Sequence, residues 1–263
     1  MNVIVCMKQV PDTETLIRVK PDGSGIVTED IKYVMNPYCE FAVEEALRIR
    51  EKFGGQSVLI TMGPPRAVEA LRTGLAMGAD RAIHLNDPAF EGADGFTTAK
   101  ALAEVIRKES YDLILCGKQA VDDDMAQVGQ SLAELLNLPH VTLITKLEIF
   151  PDQKKARATR EIEGGREVVE VSLPAVFTCQ KGLNEPRYAS LPGIMKAKKK
   201  EIKPINLAAL GLPADQVGSA GAKIKIRRYF PPPSRAAGKM ISGEVAEVAR
   251  QLVKLLREEA KVV

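Results

Sequence analysis

The chain has 263 residues, 45% of them hydrophobic, which suits one large domain or a core with a smaller appendage. Its 37 basic and 34 acidic residues leave a net charge of only +3, a balance that argues against a nucleic-acid binder. Cys6, Cys39, Cys116 and Cys179 stand far apart without a CxxC pair, and only two histidines accompany them, which argues against structural zinc and for reduced intracellular thiols.

The N-terminal stretch MNVIVCMKQVPD holds an apolar run too short for a signal segment or a membrane span, so a soluble, cytoplasmic chain without membrane insertion is expected. Through about residue 145, short β-branched runs alternate with amphipathic helical patterns. VIVCM (3–7), SVLITM (57–62), RAIHL (81–85) and YDLILC (111–116) read as strands buried on both faces. A first helix opens at Asn36-Pro37, an N-cap followed by proline at N1, with Cys39, Ala42, Val43, Ala46 and Leu47 on one face. Further helices are expected over 65–77 and 97–108. This repetition predicts an α/β fold with a parallel sheet whose ligands bind at the carboxyl ends of the strands.

Beyond residue 145 the pattern becomes two-residue alternation. Residues 143–150, 154–162 and 167–173 flank the turns PDQK and EGGRE and predict β-hairpins, followed by the apolar strand PAVFTC. From 204 to 234 the chain is rich in Pro, Gly and Ala and reads as an extended arm. A last helix, 244–259, carries Val245, Val248, Leu252, Leu255 and Leu256 on one face, which the chain's own body or a partner subunit must cover. The expected division is a core over 1–203, including a loop at 183–200, and an arm with its helix over 204–263.

The chemistry-bearing stretch is GKQAVDDDMAQVGQ, 117–130. The strand ending at Cys116 delivers Gly117, and an apolar stripe from Met125 through Val128 and Leu132 predicts a helix starting at Met125, with Asp124 as N-cap and Gln127 completing a capping box. Free N–H groups there favour a phosphate, which the carboxylates oppose unless they point elsewhere. A nucleotide phosphate site, an ordinary capped turn and a metal or acid–base site all remain open readings. MNPYCE (35–40) and TMGPP (61–65) sit at comparable strand-to-helix turns. In 182–200, Leu191 and the Ile194-Met195 pair are apolar residues in a polar loop braced by Pro186 and Pro192. Leu191 either closes over the core or anchors a partner. Lys196, Lys198, Lys199, Lys200 and Lys203 form a basic cluster without interleaved aromatics, suited to an acidic partner surface rather than nucleic acid. No Ser/His/Asp or Cys/His constellation is present, so the single chain does not read as a self-sufficient enzyme.

Together, VKPDGSGIVT, MNPYCEFAVEEALRIRE, TGLAMGADRAIHL, GKQAVDDDMAQVGQ, LPAVFTC and LNEPRYASLPGIMKAKKK resemble the β (small) subunit family of electron-transferring flavoproteins almost end to end. The resemblance implies a Rossmann-like adenine-nucleotide-binding sheet with β-hairpin additions and an extended C-terminal arm. It also implies a heterodimer with an α subunit that holds most of one FAD, while this chain buries AMP as a structural ligand and performs no bond-making. Electrons would come from acyl-CoA dehydrogenases or related flavoenzymes and pass to a quinone oxidoreductase or another acceptor. By position, the AMP contacts would be Cys6, the run Asn36, Pro37, Tyr38 and Cys39, then Met62. They continue from Gly117 through Lys118, Gln119, Ala120 and Val121 to Asp122, Asp123 and Asp124, ending with Met125, Ala126, Gln127 and Val128. Leu191 matches the family's recognition-loop leucine, with Pro192, Ile194, Met195, Lys196 and Lys199 beside it, and the final helix matches the arm that wraps the α subunit. A bifurcating branch carries a second FAD in place of AMP and oxidises NADH. That branch commonly has a glycine within the aspartate run and a carboxylate where Cys39 stands, so DDD and NPYCE resemble the AMP-binding branch, while AQVG is seen in both.

Overall fold

A computed structural model of the chain describes residues 1–234 and 237–263. Arg235 and Ala236, inside the expected arm, lie outside the described residues. The chain divides into two units, Met1–Ile17 with Val27–Arg227, and Arg18–Ile26 with Arg228–Val263.

The strands of the first unit are β1 (Val3–Cys6), β2 (Gln9–Pro11), β3 (Tyr33–Met35), β4 (Ser57–Met62), β5 (Arg81–Leu85), β6 (Leu113–Gly117), β7 (His140–Phe150), β8 (Lys155–Ile162), β9 (Gly165–Ser172), β10 (Val176–Cys179) and β11 (Ile202–Ile205). Nine of them form one sheet in the order β11-β5-β4-β1-β6-β10-β7-β8-β9, while β2 and β3 pair separately. Every pairing from β11 to β7 is parallel. The two hairpins then extend that edge in antiparallel fashion. The helices are α1 (Pro37–Phe53), α2 (Val68–Met77), α3 (Gly95–Ile106), α4 (Val128–Leu136), α5 (Leu191–Ala197) and two short turns, α6 (Leu207–Leu210) and α7 (Gly218–Gly221).

Alternating strand residues divide between two cores. Val3, Val5, Leu113, Leu115 and Phe177 pack with α1 and α2 on one face. Ile4, Ile60, Ile114 and Val176 pack with α3 and α4 on the other. A sheet covered on both faces needs apolar residues at both parities, which is why its strands read as unbroken apolar runs. After β1 the chain builds outward through β4 and β5, then returns to place β6 on the opposite side of β1. The β1/β6 boundary is therefore the topological switch point, where loops diverge and leave a crevice.

Three features depart from the sequence reading. The helix after β6 begins at Val128 rather than Met125, with Gln127 at the N-cap position and no side chain capping it. Asp124 and Ala126 have φ of 50° and 49°, a left-handed backbone that no helix can continue through, so the expected capping box does not form. The core also runs to Arg227 rather than 203. Strand β11 lies along β5, tolerating Pro204 because it is the sheet edge. Leu210 and Val217 are 3% and 0% exposed, so two well-placed apolar residues hold a Pro- and Gly-rich segment to the body. The edge strands β2, β3 and β11 were not anticipated.

In the second unit, Val19 bridges Ile26 and the Tyr229 N–H donates to Gly23 O at 2.9 Å. Its helix α8 (Val245–Glu258) buries no residue, and Val245 is 83% exposed. Among the described residues no helix is long and apolar enough to cross a membrane.

Asp94 ties α3 to the segment ahead of Arg227. Its carboxylate accepts from Thr97 N at 2.9 Å and from Lys223 N and Ile224 N at 2.6 and 3.1 Å, while Thr97 Oγ1 accepts from Asp94 N. Burial pushes this carboxyl up, but the backbone donors of Thr97 and Lys223 outweigh it and hold it below the usual range. Asp94→Ala is expected to cost about 1–2 kcal/mol in urea unfolding at neutral pH. Because the folded pKa is depressed, that difference is fully present above about pH 4 and shrinks as pH falls through the folded value.

Candidate functional site at the β1/β6 switch point

The crevice is assembled from the carboxyl ends of β1, β4 and β6. Cys6 and Cys116 are register partners across β1 and β6, and Gly117 pairs with Cys179 of β10. Met62 ends β4 next to them. Cys39 adds a fourth cysteine from the first turn of α1, so thiols remote in sequence converge here. All are free and buried. Burial pushes the Cys39 and Cys179 thiols up, and the hydrogen bond with Cys6 pushes Cys116 up, so these sulfurs are neutral thiols rather than thiolates.

Asn36 joins the α1 side of the crevice to the loop after β6. It is 1% exposed, its Nδ2 donates to Gln119 O at 2.8 Å, and its Oδ1 accepts from Val121 N at 3.1 Å. Gly117 permits the approach: a Cβ there would lie 2.8 Å from the Tyr38 carbonyl carbon and 2.9 Å from Cys39 N. Lys118 N donates to Cys179 O, and its ammonium lies 4.8 Å from the centre of the Tyr38 ring. Gly129 brings α4 against β10, since a Cβ there would lie 2.5 Å from Thr178 Cγ2.

The three aspartates are each engaged by groups other than the first-turn N–H donors of α4. Lys8 Nζ donates to Asp122 Oδ1 at 2.8 Å and Asp123 Oδ2 at 2.9 Å. Burial pulls the Lys8 pKa down, but the two carboxylates together raise it above the usual lysine value, so the ammonium stays charged. Asp123 Oδ1 also accepts from Met125 N, and Asp124 Oδ1 accepts from Gln119 Nε2, which closes the left-handed turn on itself. Among the described residues no group of three or more His, Cys, Asp or Glu has metal-holding geometry.

Helix α4 therefore starts without a side-chain cap, and α1 has none either because Asn36 is committed to the loop. By contrast, α3 has a complete capping box. The first-turn N–H groups of α4 form a positive end facing the switch point. Gln130, in that same turn, has a buried Oε1 without a partner among the described residues. Gln127 packs on the start of α3, near the position a Gly95 Cβ would take.

The structure thus brings Cys6, Asn36, Pro37, Tyr38, Cys39 and Met62 together with Gly117 through Val128 at one end of the sheet. Sequence reasoning missed Lys8, and its residue-by-residue contacts stopped at Val128, short of Gly129 and Gln130 in the same stretch. The signal for Lys8 was available, as a lone cation just past the end of β1 where a triple aspartate must be balanced.

A second exposed cluster lies apart from the crevice. Leu191 opens α5 and is 80% exposed, Met195 is 63% exposed and Ile194 42%, so Leu191 does not close over the core. Pro192 occupies the first turn behind the Ser190 cap, whose Oγ accepts from Gly193 N. Lys196 and Lys199 are exposed, whereas Lys200 Nζ donates to Leu75 O and Gly78 O at the end of α2 and serves the fold instead.

Strand order and crevice define a doubly wound α/β protein with a polar, loop-built site at its switch point. Residues 24–210 match the family described as "Electron transfer flavoprotein domain". The chain is 43% identical to "Electron transfer flavoprotein subunit beta" of Thermoanaerobacterium thermosaccharolyticum, over 97% of this chain and 98% of that protein. It is also 43% identical to the protein of that name from Bacillus subtilis, with all of both chains covered. Identity is likewise 43% to "Caffeyl-CoA reductase-Etf complex subunit CarD" of Acetobacterium woodii, over 98% and 99% of the two chains. The chain belongs to the electron transfer flavoprotein family, as a β subunit, and the family makes it an electron-transfer component.

Gly117→Ala is expected to destabilise the chain by about 1–3 kcal/mol, because the added methyl meets backbone that cannot swing aside. Chemical denaturation checks this, with a lower midpoint at unchanged slope as the expected outcome.

Proposed function

We propose that the chain pairs with an α subunit, binds AMP as a structural ligand in the β1/β6 crevice, and helps hold the FAD carried mainly by that partner. The observation that supports AMP most strongly is the uncapped start of α4, which follows a triple aspartate whose first two carboxylates are engaged by Lys8 and whose third is engaged by Gln119. An anion there meets N–H donors rather than bare negative charge. In this reading Gln119, Ala120 and Val121 present loop backbone fixed by Asn36. Ala126, Gln127, Val128 and Gln130 sit at the positive helix end, and Cys6, Cys39 and Met62 form the apolar floor. AMP supplies no electron chemistry, while FAD accepts and releases the electrons. The chain's own part is to bind, orient and dock.

The exposed α5 suits docking. Leu191, Ile194 and Met195 would enter an apolar recess of an acyl-CoA dehydrogenase or related flavoenzyme, with Lys196 and Lys199 facing acidic groups at its rim. Electrons would leave for a quinone oxidoreductase or another acceptor. The exposed apolar face of α8 fits packing on the α subunit, as the resemblance implies for the C-terminal arm.

A second reading places an FAD, rather than AMP, in the crevice and has the complex oxidise NADH. The name of the Acetobacterium woodii relative, which places that protein in a reductase complex, favours keeping it, because AMP and FAD share the adenosine phosphate that the α4 start would hold.

The test is acid extraction of the purified heterodimer followed by nucleotide chromatography. Equal amounts of AMP and FAD are expected. Two FAD per heterodimer without AMP selects the second reading, and FAD at one per heterodimer with no second nucleotide overturns the crevice assignment. Lys8→Met is expected to lower the retained AMP about tenfold at unchanged FAD content, because Asp122 and Asp123 then face the anion unbalanced.

A further inference from the structure

Docking through an exposed helix favours a segment already fixed in its bound conformation, since ordering a loop on contact consumes binding free energy. Residues 183–197 are anchored on both sides. On one side Asn184 Nδ2 donates to Phe41 O at 3.0 Å and to Glu45 Oε2 at 2.9 Å on α1. On the other, a Cβ at Gly193 would lie 2.4 Å from Ala76 O, so only glycine lets α5 settle on α2. Arg72 Nη1 of α2 then closes the end of α5 by donating to Ala197 O and Lys200 O.

Between these anchors lies Arg187. Its Nε and Nη2 donate to the two oxygens of Glu44 at 2.8 and 3.0 Å, and its own backbone N–H donates to Glu44 Oε2 at 3.1 Å. Its Nη1 and Nη2 also reach the two oxygens of Glu51, about two turns further along α1. Glu44 is 2% exposed and is completed by Arg48 Nε at 2.9 Å. Burial pushes the Glu44 carboxyl up, yet the donors from Arg187 and Arg48 hold it below the usual range, so it is ionised at neutral pH. An exposed ion pair contributes little, but this one differs in two ways. The carboxylate is buried, so its partners cannot be replaced freely by water. The contact also includes the Arg187 main chain, so it fixes the path of the loop and not merely a side chain.

We propose that Arg187, clasped by Glu44 and Glu51, is a positioning residue that fixes the 183–197 segment in a docking-ready conformation. The proposal rests on the reading of Leu191 as a docking residue, and two variants separate their failures. Both are made in the heterodimer and assayed with acyl-CoA-reduced acyl-CoA dehydrogenase as electron donor, alongside amide hydrogen exchange. Arg187→Gln is expected to speed exchange across 183–197 about tenfold and to raise the KM for the dehydrogenase about tenfold, with kcat, FAD content and exchange in β1 and β6 unchanged. Leu191→Ala is expected to raise KM without changing exchange.

Unchanged exchange in Arg187→Gln overturns the clasp, as does faster exchange throughout the sheet, which marks a merely structural role. Unchanged KM in Leu191→Ala overturns the docking reading, and the exchange data then decide the clasp alone. Should Arg187→Gln fail to fold, Glu51→Ala removes only the outer, exposed arm. About threefold faster exchange confined to 183–197 is then expected, and wild-type rates overturn the proposal.

Discussion

Asn36 uses both ends of its buried amide on the loop that follows β6, donating from Nδ2 to Gln119 O and accepting at Oδ1 from Val121 N. That pair of hydrogen bonds is the constraint on which the crevice depends. A buried amide left unpaired costs about 1–3 kcal/mol, so the loop and the entrance to α1 are fixed as one piece. The same commitment prevents Asn36 from capping its own helix. The loop it holds turns left-handed at Asp124 and Ala126, which delays α4 to Val128 and leaves that helix uncapped as well. The two helix starts that flank the switch point thus both lack a side-chain cap, α1 because Asn36 is committed to the loop and α4 because it follows the left-handed turn that Asp123, Asp124 and Gln119 close.

The triple aspartate follows from the same arrangement. Three adjacent carboxylates beside a helix start suggest metal or acid–base chemistry when only the chain order is known. In space they are divided. Asp122 and Asp123 face Lys8, and Asp124 is taken by Gln119. Each partner is partly exposed, so the ion pairs contribute little stability. Their effect is local: Lys8 offsets part of the negative charge of Asp122 and Asp123 within contact distance, while the first N–H groups of α4 have no side-chain cap. The feature that looks most hostile to a phosphate becomes compatible with one through a lysine more than a hundred residues earlier.

The sheet, the order of its major helices and the hairpins were legible because each rests on a local period. Buried parallel strands read as unbroken apolar runs, α1 carries a 3.6-residue stripe behind Asn36-Pro37, and the hairpins alternate around marked turns. The meeting of the loops after β1, β4 and β6 at one end of the sheet was legible too, since carboxyl ends of parallel strands are where loops diverge. What failed was set by contacts between distant residues. The stripe Met125, Val128, Leu132 predicted three residues too many of α4, because period cannot see a left-handed Ala126. The segment from 204 to 227 looked like an arm because its composition is that of a linker, although Leu210 and Val217 bury it. Leu191 was ambiguous for a similar reason: an apolar residue between prolines fits a core plug or an exposed anchor equally, and only its 80% exposure separates them.

Helix α1 gives these parts a common frame. Its 17 residues make a rod about 25 Å long, entered at the crevice by Asn36, Tyr38 and Cys39. Phe41, Glu44, Glu45 and Glu51, further along, receive the donors of the 183–197 segment. An electron-transfer component gains its rate from pose, because the electron must cross a gap whose length the protein sets. Fixing the crevice and the exposed segment to one rigid helix limits how far either moves relative to the other. Glu44 is the most demanding point of that frame. Four donors satisfy a carboxylate that water barely reaches, so any excursion of the segment exposes a buried charge to an apolar surround. The stiffness of the exposed segment therefore comes from electrostatics inside the fold and not from the apolar residues it displays.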